Sequence, residues 1–117
     1  MCIRDRCCIR LHGCTDRQAK REIQFCRRDH DLLEIVLEEL TAARIPAEIA
    51  TDPMLDGDLP DNIANRTKVR GCVQLEMGTG YRASLFGTDT RIQRKHTTNK
   101  KFWRLVAALR KAMSRVA

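Results

Sequence analysis

Apolar residues in this chain switch from period two to period 3.6 and back, and that switching limits the folds open to it. Residues 7–13, CCIRLHG, alternate, with Ile9 and Leu11 on one side and Cys8, Arg10 and His12 on the other. Residues 71–80, GCVQLEMGTG, alternate too, setting Val73, Leu75 and Met77 against Cys72, Gln74 and Glu76. Helical stripes separate and follow these runs. Leu33, Val36, Leu37 and Leu40 make one stripe in residues 31–44, with Glu34, Glu38 and Glu39 opposite. Phe102, Leu105, Val106, Leu109, Ala112, Met113 and Val116 make another in residues 100–116, while Lys101, Arg104, Lys111 and Arg115 face outward. Asp31 followed by Glu34 predicts the N-cap of the first helix, and Pro46 ends it. Short strands are predicted at residues 22–26, irregular, and in AEIAT at 47–51. Residues 52–66, rich in Asp, Pro, Gly and Asn, predict an ordered loop. This order predicts an α/β fold, a partial open sheet of mixed or parallel strands flanked by helices.

The 117 residues suffice for one small domain. With aromatics at 4%, the core has to come from Leu, Ile, Val, Ala and Met. No apolar run reaches transmembrane length, so no membrane span is predicted. The opening MCIRDR reads as a translation of ATG TGT ATA AGA GAC AG, which resembles a transposon-end adapter. Residues 1–6 are therefore set aside as a scar, and the natural frame is expected to enter mid-gene. Six cysteines, with no CxxC pair and no regular spacing, argue against a disulfide framework or a zinc knuckle. Cys8, Cys14, Cys26 and Cys72 are expected to be small buried thiols, which favours a reducing, cytoplasmic compartment. The net charge is +7, or +6 without residues 1–6, where two positives and one negative are removed. Such a surface suits a polyanionic partner, and charge alone does not choose among nucleic acid, anionic lipid and acidic polymer.

Two strands end in an ionisable residue close to glycine: His12 before Gly13, and Glu76 before Gly78. A carboxylate at the end of a buried strand is costly unless it is paired, hydrogen-bonded or near a metal. Open α/β sheets bind ligands at the carboxyl ends of their strands. The two residues are therefore expected close together at one edge of the sheet. His30 and His96 fall on no strand end and are expected in solvent.

Three stretches, RLHGC (10–14), NIANR (62–66) and GCVQLEMGTGYRASLF (71–86), together resemble the zinc-dependent poly-γ-glutamate hydrolases, a phage-related family with a carboxypeptidase-like fold. The last is the most specific, joining Q-L-E, a small loop and an Arg before Leu-Phe. The segment EIQFCRRDHD departs from the Gly-rich stretch usual before the helix. The resemblance implies that His12 is a zinc ligand and that Glu76 is the carboxylate activating the attacking water. It also implies an N-terminal H-G-x-x-E-type motif, absent here, so that residues 7–117 read as the C-terminal part of a single hydrolase domain, inactive alone. Arg66, Asn65 and Arg82 are substrate-binding candidates, since a guanidinium offers a bidentate fork for carboxylates. Asn62 and Asn65 fit a capped turn equally well. The implied function is a metal-dependent amidohydrolase, with zinc as cofactor, acting on poly-γ-glutamate or a related acidic peptide. The alternative is a phage-related nucleic-acid-binding or replication accessory protein, suggested by the charge and by the basic stretch 91–101.

Overall fold

The computed structural model describes residues 2–3, 7–16, 23–27, 29–50 and 72–116. Five strands form one sheet in the order β1-β2-β5-β3-β4: β1 (Cys2–Ile3), β2 (Cys7–Cys14), β3 (Ile23–Arg27), β4 (Ala47–Ile49) and β5 (Val73–Gly78). The sheet is mixed. β2 runs parallel to β5 and β3 parallel to β4, while β1 is antiparallel to β2 and β3 is antiparallel to β5. Among the described residues three α-helices accompany it: α1 (His30–Ala42), α2 (Thr79–Ser84) and α3 (Lys100–Arg115).

Alternation builds the core. Cys7 and Ile9 of β2, Ile23 of β3 and Val73, Leu75 and Met77 of β5 are buried on one face of the sheet. They form a single cluster with Leu32, Leu33, Val36 and Leu40 of α1 and with Leu105, Ala108, Leu109, Ala112 and Met113 of α3. The central position of β5 explains why all six of its residues are buried. Its opposite face carries polar groups, and that face holds the candidate site.

The first helix starts two residues before the predicted cap. Asp29, not Asp31, is the N-cap, and its carboxylate accepts from Leu32 N at 3.0 Å. Arg44 takes a left-handed φ of 57° after the helix, and Pro46 prevents its continuation. α3 opens on Asn99, whose side chain accepts from Phe102 N at 3.1 Å.

Glu39, placed on the outer side by its helical position, is in fact only 8% exposed. It joins α1 to α3, with Lys111 Nζ at 3.0 Å and Arg115 Nη1 at 2.9 Å, and Arg115 also reaches Glu38 at 2.7 Å. The hydrogen bond from Lys111, reinforced by Arg115, holds the Glu39 carboxyl below its ordinary value of 4.5. A carboxyl so lowered by folding contributes stability in full above its ordinary value, and loses it as pH falls through the lowered one. Acidification from pH 5 is therefore expected to destabilise the wild type more steeply than Glu39→Gln, and urea unfolding across that range checks the difference in slope.

Candidate active site

The parallel register of β2 and β5 sets His12 directly beside Glu76. Both lie at the carboxyl ends of their strands, and parallel alignment points the two side chains to the same face. His12 Nδ1 stands 2.9 Å from Glu76 Oε2. The carboxylate is almost wholly enclosed, with 3% of its side chain exposed, whereas 52% of the His12 side chain is exposed. Two residues earlier on the same face, Gln74 donates through Nε2 to Glu76 Oε1. Both carboxylate oxygens thus have a partner, which is what permits a buried Glu. An ionised carboxylate only accepts, so Nδ1 donates to it, and in the neutral ring Nε2 keeps its lone pair on the exposed side.

The connection after β5 closes the site. α2 begins one residue after Gly78 with no side-chain cap of its own. Asp16, just beyond β2, supplies one by accepting from Gly80 N at 3.1 Å. Thr79 Oγ1 donates to Cys14 O at 3.3 Å, so the ends of β2 and β5 are joined twice. Arg82 follows on α2, and its guanidinium lies across Gly13. A Cβ built on Gly13 would come within 2.5 Å of Arg82 Nη1. Arg82 Nη2 donates to Thr79 Oγ1 at 3.3 Å, while its buried Nε has no hydrogen-bond partner among the described residues. Cys14 is buried here as well. Burial foremost, and then the Glu76 charge, push its thiol above the ordinary value of 9.0, with Arg82 opposing. It therefore stays protonated and is not a thiolate nucleophile.

Gly13 is thus a spacer for Arg82. Gly13→Ala is expected to displace the guanidinium while changing stability by less than about 1 kcal/mol, because the end of a flexible side chain yields and not the backbone. The Nε–H NMR resonance of Arg82 should move in this variant while the melting temperature holds. An unmoved resonance would contradict it.

The structure brings together His12, Glu76 and, beside them, Arg82. Asn65 and Arg66, with Asn62, lie outside the described residues. His30 and His96 are exposed, as expected. Cys14 and Cys72 are buried thiols outside any disulfide, Cys8 is half-buried, and the Cys26 side chain lies outside what is described. Among the described residues no three His, Cys, Asp or Glu form a group that could hold a metal ion, so His12 is at most one member of a ligand set. Sequence reasoning missed Gln74, Asp16 and Gly13. The alternation in Q-L-E already set Gln74 beside Glu76; the roles of Asp16 and Gly13 depend on contacts made more than sixty residues away.

Known proteins share this arrangement of elements. The family model for poly-γ-glutamate hydrolase matches residues 1–108. The UPF0714 protein YndL of Bacillus subtilis strain 168 is 34% identical over 96 residues, covering 81% of this chain and 37% of YndL. YoqZ, an SPbeta prophage-derived UPF0714 protein of the same strain, is 31% identical over 104 residues, covering 88% of this chain and 37% of YoqZ. Among solved structures, a bacteriophage poly-γ-glutamate hydrolase superposes with a TM-score of 0.81 at 25% identity, covering 94% of this chain and 53% of its own. The apo, zinc-free form of YndL superposes with a TM-score of 0.80 at 31% identity, covering 91% and 52%. The chain therefore spans about half the length of these solved proteins and less of the curated relatives. On its match to the family model and its identity to YndL, the chain belongs to the poly-γ-glutamate hydrolase family.

Proposed function

We propose that this chain carries part of the active site of a zinc-dependent amidohydrolase that cleaves poly-γ-glutamate or a related acidic peptide. The observation that supports it most is the His12–Glu76 pair, a half-exposed imidazole held by a buried carboxylate at the carboxyl ends of two parallel strands. A carboxylate on one ring nitrogen fixes the ring and raises the basicity of the other, the usual support for a metal-ligating histidine. The naming of one YndL form as zinc-free adds support from a relative.

His12 Nε2 would hold zinc, and the other ligands would come from outside the described residues. Bound zinc would supply Lewis acidity toward the amide carbonyl. Glu76 does the proton work. As the base, its carboxylate would take the proton of the attacking water on a lone pair left by His12 Nδ1 and Gln74, and would pass it to the leaving amine. Gln74 holds Oε1 and keeps the group in place through both transfers. Arg82, whose half-buried guanidinium lies across Gly13 beside the pair, is the described candidate for gripping a substrate carboxylate. Asn65 and Arg66 are proposed for the same task.

With one ligand nitrogen in the described residues, the chain by itself is expected to bind zinc weakly and to be inactive. Zinc titration tests this, with His12→Ala lowering the affinity further. Tight stoichiometric binding that survives His12→Ala would sink the assignment of the ligand.

A further inference from the structure

The outward face of α3 has no part in the chemistry above. Residues 87–115 hold nine Lys and Arg but one carboxylate, Asp89, which Arg94 already engages. α3 itself has no acidic residue in its 16 positions. At 100° per residue, Lys100, Trp103, Arg104, Ala107, Arg110 and Lys111 share roughly a third of its circumference, along a length of about 17 Å. Lys111 is committed to Glu39. Lys100, Arg104 and Arg110 are exposed with no carboxylate partner among the described residues, and so are Arg91 and Lys95 in the approach to the helix. Trp103, 55% exposed, lies among these cations.

The N-terminal end of α3 is tied to the helix beside the candidate site, although α3 packs on the Leu75 face of the sheet, opposite the face that carries His12 and Glu76. Lys101 Nζ sits 4.7 Å from the centre of the Tyr81 ring, and Asn99 Nδ2 donates to Ser84 O at 2.9 Å. Tyr81 and Ser84 belong to α2, the helix that carries Arg82. The start of α3 is thereby fixed to the same short helix that borders His12 and Glu76.

We propose that the outer face of α3, entered past Arg91 and Lys95, is a docking surface that holds a long polycarboxylate chain while one of its amide bonds is at the His12–Glu76 end of the sheet. The identity of the polymer rests on the hydrolytic reading; the surface itself rests on its charge and exposure. Each exposed ion pair is worth about 0–1 kcal/mol and is screened by salt, so only a polymer that meets several at once is held. A single-stranded nucleic acid would call for several aromatic platforms. Trp103 is the only aromatic side chain among the described residues that is strongly exposed, which favours the polycarboxylate.

Trp103 is the single Trp of the chain, so its fluorescence reports occupancy directly. The full chain, without metal, is titrated with long poly-γ-glutamate, a γ-glutamyl dipeptide and an oligonucleotide of matched charge. The long polymer is expected to give a saturable, salt-sensitive change and the dipeptide none. Reversing two cations in the double variant Lys100→Glu, Arg104→Glu should weaken the polymer by about tenfold or more. The milder Lys100→Gln, Arg104→Gln should lie between, with circular dichroism showing both folded. Glu76→Gln should bind the polymer as the wild type does, because Glu76 lies outside the docking surface, so a docking defect is read apart from the hydrolytic reading. Wild-type polymer affinity in the charge-reversed variant would overturn the proposal. Tighter binding of the oligonucleotide, with the same dependence on Lys100 and Arg104, would overturn it in favour of a nucleic-acid surface.

Discussion

Glu76→Gln is expected to lower the turnover of poly-γ-glutamate by about 10² to 10⁴, the usual share of general acid–base catalysis. The side chain is 3% exposed and its two oxygens meet Gln74 and His12, so a substitution that changes its shape would also disturb the fold. Glutamine keeps the shape. The Gln74 amide can turn over to accept from the new NH₂ group, which leaves the new carbonyl facing His12 Nδ1 and the ring tautomer unchanged. What disappears is the basic oxygen. The loss should therefore fall on kcat more than on KM, since binding of the ground state is little altered. Kinetics on a protein of the relatives' full length, with the melting temperature as control, checks the prediction.

Leu75→Ala is expected to cost about 2–5 kcal/mol, the range for deleting a fully enclosed Leu side chain. Leu75 is 0% exposed on the strand that occupies the middle of the sheet, between β2 and β3. Such a loss is a large part of the 5–15 kcal/mol that holds a domain together, and would lower Tm by about 4–8 °C per kcal/mol in a domain near 100 residues. Its register partner provides the comparison. Leu11, paired with Leu75 across β2 and β5, is 53% exposed, and Leu11→Ala should stay within about 0.5 kcal/mol. Two leucines in one register pair thus separate burial from residue type, and denaturant unfolding of both variants measures the difference.

The parts of the fold legible in the sequence are those that periodicity encodes. β2, β5, α1 and α3 each turn one apolar parity or stripe to the core, β5 being buried on its other face as well, and their spans agree with the predicted ones to within a residue or two. α2 was hidden because six residues hold less than two turns of pattern, one of them Gly80, and because its cap comes from Asp16 on another strand's loop. Glu39 was misplaced for a similar reason. Its partner Arg115 is 76 residues away, and local amphipathicity does not record such a pair. Strand order was also out of reach. Inserting β5 between β2 and β3 depends on which apolar faces pack together, and no motif in the chain states it. That His12 and Glu76 lie together was legible because each pairs an ionisable side chain with a strand end and a nearby glycine, and the parallel register brings them to 2.9 Å. Gln74 was visible beside Glu76 by alternation, but its hydrogen bond was not.

Paired measurement of zinc content and amide-bond cleavage in Glu76→Gln and His12→Ala, at the relatives' full length, tests the central claim most directly. If Glu76 moves the proton and His12 holds the metal, Glu76→Gln keeps its zinc and loses cleavage, whereas His12→Ala loses both. A Glu76→Gln protein that cleaves poly-γ-glutamate at the wild-type rate would contradict it.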